Sequence, residues 1–185
     1  MLKLENLIGS GNERHCYQHP IDNDKCIKIT FSQKKTRINE SNVEYEYCQR
    51  LIKSDSNIHS APISLSYEWV NTDKGDGLVC DLIRDYDGHI SKTLAYYRKE
   101  CQLKENDITQ GLTDLLQGLI KHSIAITYVH DRNILVQYVT KDKYHFILID
   151  GLGSSNAIPL AYWIKHYARK QTTRRFLKCY KNIKL

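Results

Sequence analysis

Residues 128–153 read YVHDRNILVQYVTKDKYHFILIDGLG. Ile134, Leu135 and Val136 make a brief apolar run, Thr140 to Lys143 a polar turn, and Phe146 to Ile149 a second apolar run, which predicts a β-hairpin. Asn133 then stands just before one strand and Asp150 just after the other, near the same end. An amide oxygen and a carboxylate set close together are hard oxygen ligands, and with phosphate oxygens and water they suit Mg²⁺. Taken singly, Asn before a strand and Asp-Gly after one are also ordinary turn residues. The rest of the chain decides between these readings.

The chain has 185 residues with 41% hydrophobic and 26% charged side chains, an ordinary globular composition that excludes a disordered chain. No apolar run approaches the ~20 residues of a membrane span. Met1-Leu-Lys-Leu-Glu-Asn has no apolar core of the signal-peptide kind, so the expected location is the cytoplasm. Six cysteines (Cys16, Cys26, Cys48, Cys80, Cys101, Cys179) lie among apolar neighbours without a C-x-x-C, which fits reduced thiols better than a disulfide framework or a zinc site. His15, Cys16 and His19 could suggest a metal cluster, but neighbouring strand residues point to opposite faces. The net charge of +6 is uneven: after Asp150 there is no acid and eight Lys or Arg, which leaves −2 for the rest.

From the N-terminus, Leu7-Ile-Gly9-Ser10-Gly11 followed by alternation into Cys16 predicts strand, Gly-rich turn, strand. Such glycines let backbone N–H groups approach a phosphate, although G-x-G alone marks only a turn. His19 to Asp24 is a hairpin turn, and Cys26-Ile-Lys28-Ile29 a short strand whose lysine needs an anion or an edge from which to reach water. Ser32 to Arg37 reads as a basic loop and Ile38 to Lys53 as a helix. Glu44, Tyr47, Cys48 and Leu51 share a face at i, i+3, i+4 and i+7, so Glu44 lies on the apolar side and requires a cationic partner, for which Lys28 is the candidate. Ala61–Val70 and Gly77–Ile83 read as two more strands, separated by a Lys-Gly-Asp-Gly turn.

Arg84-Asp-Tyr-Asp-Gly88 is the best joint in the chain, and it divides residues 1–84 from 85–185. Beyond it, Ser91 is expected to cap a helix reaching Cys101. Asn106 or Asp107 is expected to cap another, with Ile108, Leu112, Leu115, Leu116 and Leu119 as its core stripe. Pro159 opens a final helix with Leu160, Trp163, Ile164 and Tyr167 as its apolar face and a basic face opposite. The fold class is α+β: a small antiparallel sheet with one helix, then a reduced, mainly helical region that carries the hairpin and the basic C-terminal helix.

A Gly-rich loop, strand Lys, helix Glu, joint, helices, Asn before a strand and Asp-Gly after one, in this order over residues ~4 to ~155, resembles a protein kinase domain in minimal bilobal form. More narrowly, R-x-C-Y-x-H-P followed by C-I-K-I, D-x-D-G and I-P-L-A-x-W resembles the YrbL family of the PhoP regulatory network. The kinase resemblance implies ATP and Mg²⁺ as cofactors. It implies phosphate contacts from Gly9, Ser10 and Gly11, an α/β-phosphate contact from Lys28 held by Glu44, and metal contacts from Asn133 and Asp150.

The chain also departs from that pattern. The third loop glycine is Arg14, the catalytic Asp five residues before the metal Asn is Tyr128, the usual Lys three before it is His130, and no A-P-E follows. Asp131 as a displaced base and His130 as a phosphate contact are the substitutes these positions allow. Tyr128, with an unperturbed pKa of about 10, is a poor base. Three functions follow as expectations: a kinase-like ATP- and Mg²⁺-binding protein, acting as an atypical phosphotransferase or nucleotide-gated regulator; a pseudokinase that binds a protein partner; and a binder of nucleic acid or acidic surfaces through the basic C-terminus. The last is the weakest, because the tail lacks a helix-turn-helix or a stacking pattern.

Overall fold

The computed structural model describes residues 1–11, 13–31, 40–100, 102–153 and 160–184. In chain order the elements are β1 (Leu7–Ser10), β2 (Arg14–Gln18), β3 (Lys25–Thr30), α1 (Glu40–Ser54), β4 (Ser66–Thr72), β5 (Gly75–Asp81), β6 (Lys92–Thr93), α2 (Leu94–Lys99), α3 (Glu105–Lys121), β7 (Ile134–Thr140), β8 (Lys143–Leu148) and α4 (Lys165–Lys184). They form a mixed α+β protein with two antiparallel sheets, of order β1-β2-β3-β5-β4 and β6-β7-β8. The basic loop expected at 32–37, Cys101 and Pro159 lie outside the described residues. No helix among the described residues is long and apolar enough to cross a membrane.

Strand alternation splits the larger sheet into two faces. Ile27 and Val79 are directly opposed and, with Leu4 and Ile29, form an outer cluster. Cys26 opposes Cys80 and Lys28 opposes Leu78, so these four share the inner face. That placement turns a lysine toward α1. The largest core runs without a break from Tyr47, Cys48 and Leu51 of α1 to Leu112, Leu115 and Leu119 of α3 and to Ile134, Val136, Phe146 and Leu148 of the hairpin.

Four expectations are corrected. Residues 61–65 are not strand: Ile63 bridges Leu148, and Ser64 N–H donates to the Leu148 carbonyl at 2.9 Å, so this segment crosses to the hairpin and β4 begins only at Ser66. Its alternation reflects burial in a crossover. Ser91 caps no helix; it is buried, with its hydroxyl donating to Asp85 Oδ1 at 2.5 Å, and Thr93 caps α2 by accepting from Tyr96 N–H. Helix α3 starts at Glu105 behind Lys104, which makes no side-chain cap, rather than behind Asn106 or Asp107.

The fourth correction concerns α4. The expected helix is not continuous through residues 160–164: Leu160–Tyr162 form a 3₁₀ turn and α4 begins only at Lys165, so Leu160, Trp163 and Ile164 lie before it. These three and Tyr167 are exposed, and the buried face of α4 includes Ala168, Gln171, Thr172 and Phe176. This face docks because its polar members satisfy a loop backbone that would otherwise be left unbonded. Thr172 Oγ1 donates to the Ile124 carbonyl at 2.6 Å, and Gln171 Nε2 and Arg175 donate to that of Ile126 at 3.3 and 2.7 Å.

Candidate functional site

The hairpin β7–β8 brings the ends of its two strands together. Ile149 N–H donates to the Asn133 carbonyl at 2.9 Å, which sets Asn133 beside the residue preceding Asp150. The next residue, Gly151, has φ +78°, and a Cβ there would lie 2.6 Å from the Tyr128 carbonyl oxygen. Only glycine fits that turn. Its carbonyl accepts from Thr127 N–H at 2.7 Å, Ile126 bridges Leu152, and Gly153 N–H donates to Ala125 at 2.9 Å. The segments on either side of the hairpin are thereby zipped together, and α1 is tied to them where Ala125 N–H donates to the Tyr47 hydroxyl at 2.7 Å.

Above this end sit Lys28 from β3, Arg14 from β2 and Glu44 from α1. Lys28 Nζ lies 2.6 Å from Glu44 Oε1 and donates to the Ile149 carbonyl at 2.9 Å. Arg14 donates one guanidinium nitrogen to Glu44 Oε2 at 2.9 Å and the other to Asp150 Oδ2. Asp150 Oδ1 accepts from Gly151 N–H at 2.8 Å. Two cations and two carboxylates therefore form one continuous chain, Lys28–Glu44–Arg14–Asp150, in which Glu44 is only 2% exposed.

Buried charges persist only when paired and hydrogen-bonded, which these are. Burial alone would raise the Asp150 carboxyl, but Lys28 and Arg14 hold it below the usual carboxylate range. Burial likewise works against the Arg14 cation, and Asp150 and Glu44 more than offset it. Burial also pushes the Cys80 thiol up, so Cys80 is a neutral neighbour of Lys28 and the attraction that keeps the lysine charged comes from Glu44.

Arg14 was legible only as a departure from a glycine, yet it is the hub of this network. A parity signal existed: Cys16 opposes Lys28 across β2–β3, and Arg14, two residues before Cys16, shares its face.

The Gly9–Gly11 turn lies at the end of β1–β2, closed by Gly11 N–H donating to the Arg14 carbonyl at 2.8 Å, with Ser10 Oγ 3.1 Å from His15 Nδ1. A Cβ at Gly9 or Gly11 would make only ordinary contacts, at 3.8 and 3.6 Å, so the fold does not demand glycine at either position. Beneath the sheet, half-buried Ile8, Cys16 and Ile90 pack against Cys26, Leu78, Cys80 and Leu82.

The substitutes for a catalytic base are already engaged. Asp131 Oδ2 accepts from Arg98 of α2 at 2.7 Å, and its Oδ1 lies 2.7 Å from His130 Nδ1. That short approach needs a proton on His130 Nδ1, which then cannot also accept from Arg132 N–H at 3.3 Å. Asp131 thus fastens α2 to the loop. Arg98, its partner, sits in the last turn of α2 and had no signal in the sequence beyond its charge.

Asn133 and Asp150 supply two oxygen donors, a number that suits Mg²⁺ when phosphate and water complete the shell. Among the described residues no group of three or more His, Cys, Asp or Glu side chains could hold a metal by itself. Because both Asp150 oxygens are occupied, by Arg14 and by Gly151 N–H, the donor set fits a divalent cation only once Arg14 withdraws.

The fold and site define a mixed α+β protein whose two antiparallel sheets meet at a buried network of ion pairs. The chain belongs to the family described as PhoP regulatory network protein YrbL, whose model matches residues 1–184. It is 31% identical over 166 residues to YrbL of Escherichia coli K12, covering 89% of this chain and 78% of the relative, and equally similar to YrbL of Shigella flexneri.

Proposed function

We propose that this protein binds an adenine nucleotide between its two sheets in the manner of a minimal protein kinase, and that it acts as a nucleotide-responsive regulator. The observation that carries this reading is the buried Lys28–Glu44 pair set against Asp150 at the end of the hairpin. Burying ions for stability alone is inefficient, since apolar residues of similar volume do as well or better, so the network is read as serving a ligand. Two further features support it: glycines at 9 and 11 that packing does not require, and a half-buried apolar patch around Ile8 and Cys16 suited to a planar base.

In this reading Lys28, oriented by Glu44, binds the phosphates, and the turn of Gly9, Ser10 and Gly11 lies over them, the Gly11 N–H reaching a phosphate only after leaving the Arg14 carbonyl. Mg²⁺, held by Asn133 and Asp150, would neutralise phosphate charge. Regulation is favoured over rapid phosphoryl transfer because Tyr128 stands where a carboxylate base is expected and Asp131 is committed to Arg98. The family's name, with its regulatory network, agrees with that role and with an as yet unidentified protein partner.

The test is thermal unfolding with ATP, with and without Mg²⁺. At ~100 times its Kd, ATP should add about 2.7 kcal/mol. The gain should vanish in Lys28→Ala and lose its Mg²⁺ dependence in Asp150→Ala. Absence of any ATP stabilisation, in wild type and in Arg14→Ala alike, would end the proposal. If radiolabel from ATP is transferred by wild type but not by Asp131→Ala, Asp131 is instead a catalytic base.

A further inference from the structure

A cleft of about 500 Å³ lies away from the ion-pair network, where the C-terminal ends of α1 and α3 meet the start of α4. Three stretches distant in sequence contribute its cations: Arg50 from α1, Lys121 from α3, and Lys165 and Arg169 from α4. Among the described residues no carboxylate lies within ion-pair distance of any of the four, although Asp55, whose carboxyl is held low first by His122, is near enough to Lys165 for the lysine to contribute. The acid on the wall, Asp55, is already bonded to His122 Nδ1 at 2.9 Å and to Asn57 N–H at 2.9 Å.

The cations are also held in place. The Arg50 guanidinium stands 5.8 Å from the Tyr162 ring and 5.7 Å from the Trp163 ring. Arg169 spends its Nε on Ser123 Oγ at 3.0 Å, which anchors the side chain, and among the described residues its two terminal nitrogens make no hydrogen bond. Tyr162 is stacked on Tyr47 at 4.6 Å, so this wall is fixed to α1. Trp163 presents 59% of its surface to solvent beside these charges.

Like charges gathered on one concave surface repel one another, and the arrangement is relieved by an anion. Arginine forks and lysine ammoniums are the donors that phosphate oxygens select. The volume is that of a small-molecule site and exceeds what one inorganic phosphate fills.

We infer that the Arg50–Lys121–Lys165–Arg169 cleft is a second ligand site, for a small molecule carrying two or more phosphate groups. It is separate from the nucleotide site proposed above and stands whether or not that reading does.

Inorganic pyrophosphate is the probe, followed by calorimetry and by tryptophan fluorescence in the full chain. Wild type should bind it saturably, more tightly than inorganic phosphate, with Trp163 emission changing. Trp163→Phe should keep the heat of binding and lose the optical change. Affinity should fall tenfold or more in Lys121→Glu and in Lys165→Glu, whose exposed side chains make no hydrogen bond to a described residue and whose folding is checked by thermal melting. Asp150→Ala and Lys28→Ala should bind pyrophosphate as wild type does.

Four results would overturn the inference. One is no saturable binding at millimolar pyrophosphate and moderate salt; another is unchanged affinity in both charge reversals. The third is loss of binding in a Lys28→Ala protein that still melts as a folded chain, which would put the anion in the other site. Binding of a phosphorylated peptide but not pyrophosphate would likewise replace the small molecule with a protein ligand.

Discussion

Arg14 and Lys28 are buried between Glu44 and Asp150, whereas Arg50, Lys121, Lys165 and Arg169 stand in water around a cleft whose acid is bonded elsewhere. The same residue types obey different rules in the two places. Inside, each charge exists only because another answers it, so the four side chains form one unit that one substitution breaks. Outside, water screens each charge, and the cations tolerate replacement singly while remaining free to meet a ligand. The buried cluster is thus read in stability, the exposed one in binding.

The sharpest break is Glu44→Ala. It strands Lys28 and one arm of Arg14 in the interior, and the loss should be ~3–5 kcal/mol by denaturant unfolding. A loss below about 1 kcal/mol would mean that the network is wetter than its burial indicates.

Arg14→Ala should cost less, about 1–3 kcal/mol, since Glu44 keeps Lys28 and Asp150 faces partly outward. It should also tighten Mg²⁺-dependent ATP binding about tenfold, because Asp150 loses its resident cation; one tenfold step is about 1.4 kcal/mol. Weaker binding would show that Arg14 helps to hold the nucleotide rather than competing with the metal.

Asp131→Ala releases Arg98 at a half-exposed position, and about 1 kcal/mol is expected. The pH profile refines the comparison further. Asp150 has a depressed folded pKa, so its contribution is complete above its unfolded value of about 3.9 and is lost as pH falls through the lower folded value. Asp150→Asn should remove that part of the acid limb, seen as a shallower loss of stability below about pH 4. The smallest effect belongs to the exposed cluster: Lys121→Glu should change stability by no more than about 0.5 kcal/mol while weakening pyrophosphate binding. A large destabilisation there would place Lys121 in the fold rather than in a site.

The Lys28–Glu44 pair was legible because two short-range periodicities pointed inward independently. Lys28 interrupts a strand of alternating apolar residues, and Glu44 interrupts a helical stripe, so each required an opposite charge. The Asn133–Asp150 juxtaposition was legible for a similar reason, a hairpin with polar residues at both ends of one side. Arg14 was less so, since a strand arginine next to a glycine turn reads as solvated until the register of β2 on β3, which sets Cys16 opposite Lys28, puts Arg14 on the same face.

Local pattern by itself located most of the strands and helices and the hairpin, though not all their ends, along with which side chains had to find a charge, because backbone geometry and burial repeat over two or four residues. Tertiary structure alone decided which partners they found. Arg14 reaches Asp150 across 136 residues, Arg98 reaches Asp131 from another helix, and residues 61–65 leave one sheet for the other. The docking of α4 was settled in the same way. The apolar stripe expected there, Leu160, Trp163, Ile164 and Tyr167, lies mostly before the helix begins at Lys165, and the loop at 124–126 presents carbonyls that Gln171, Thr172 and Arg175 satisfy. Hydrogen bonds to a distant backbone and the burial of Ala168 and Phe176 together chose the docked face, and no window along the chain contains both the helix and the loop it meets.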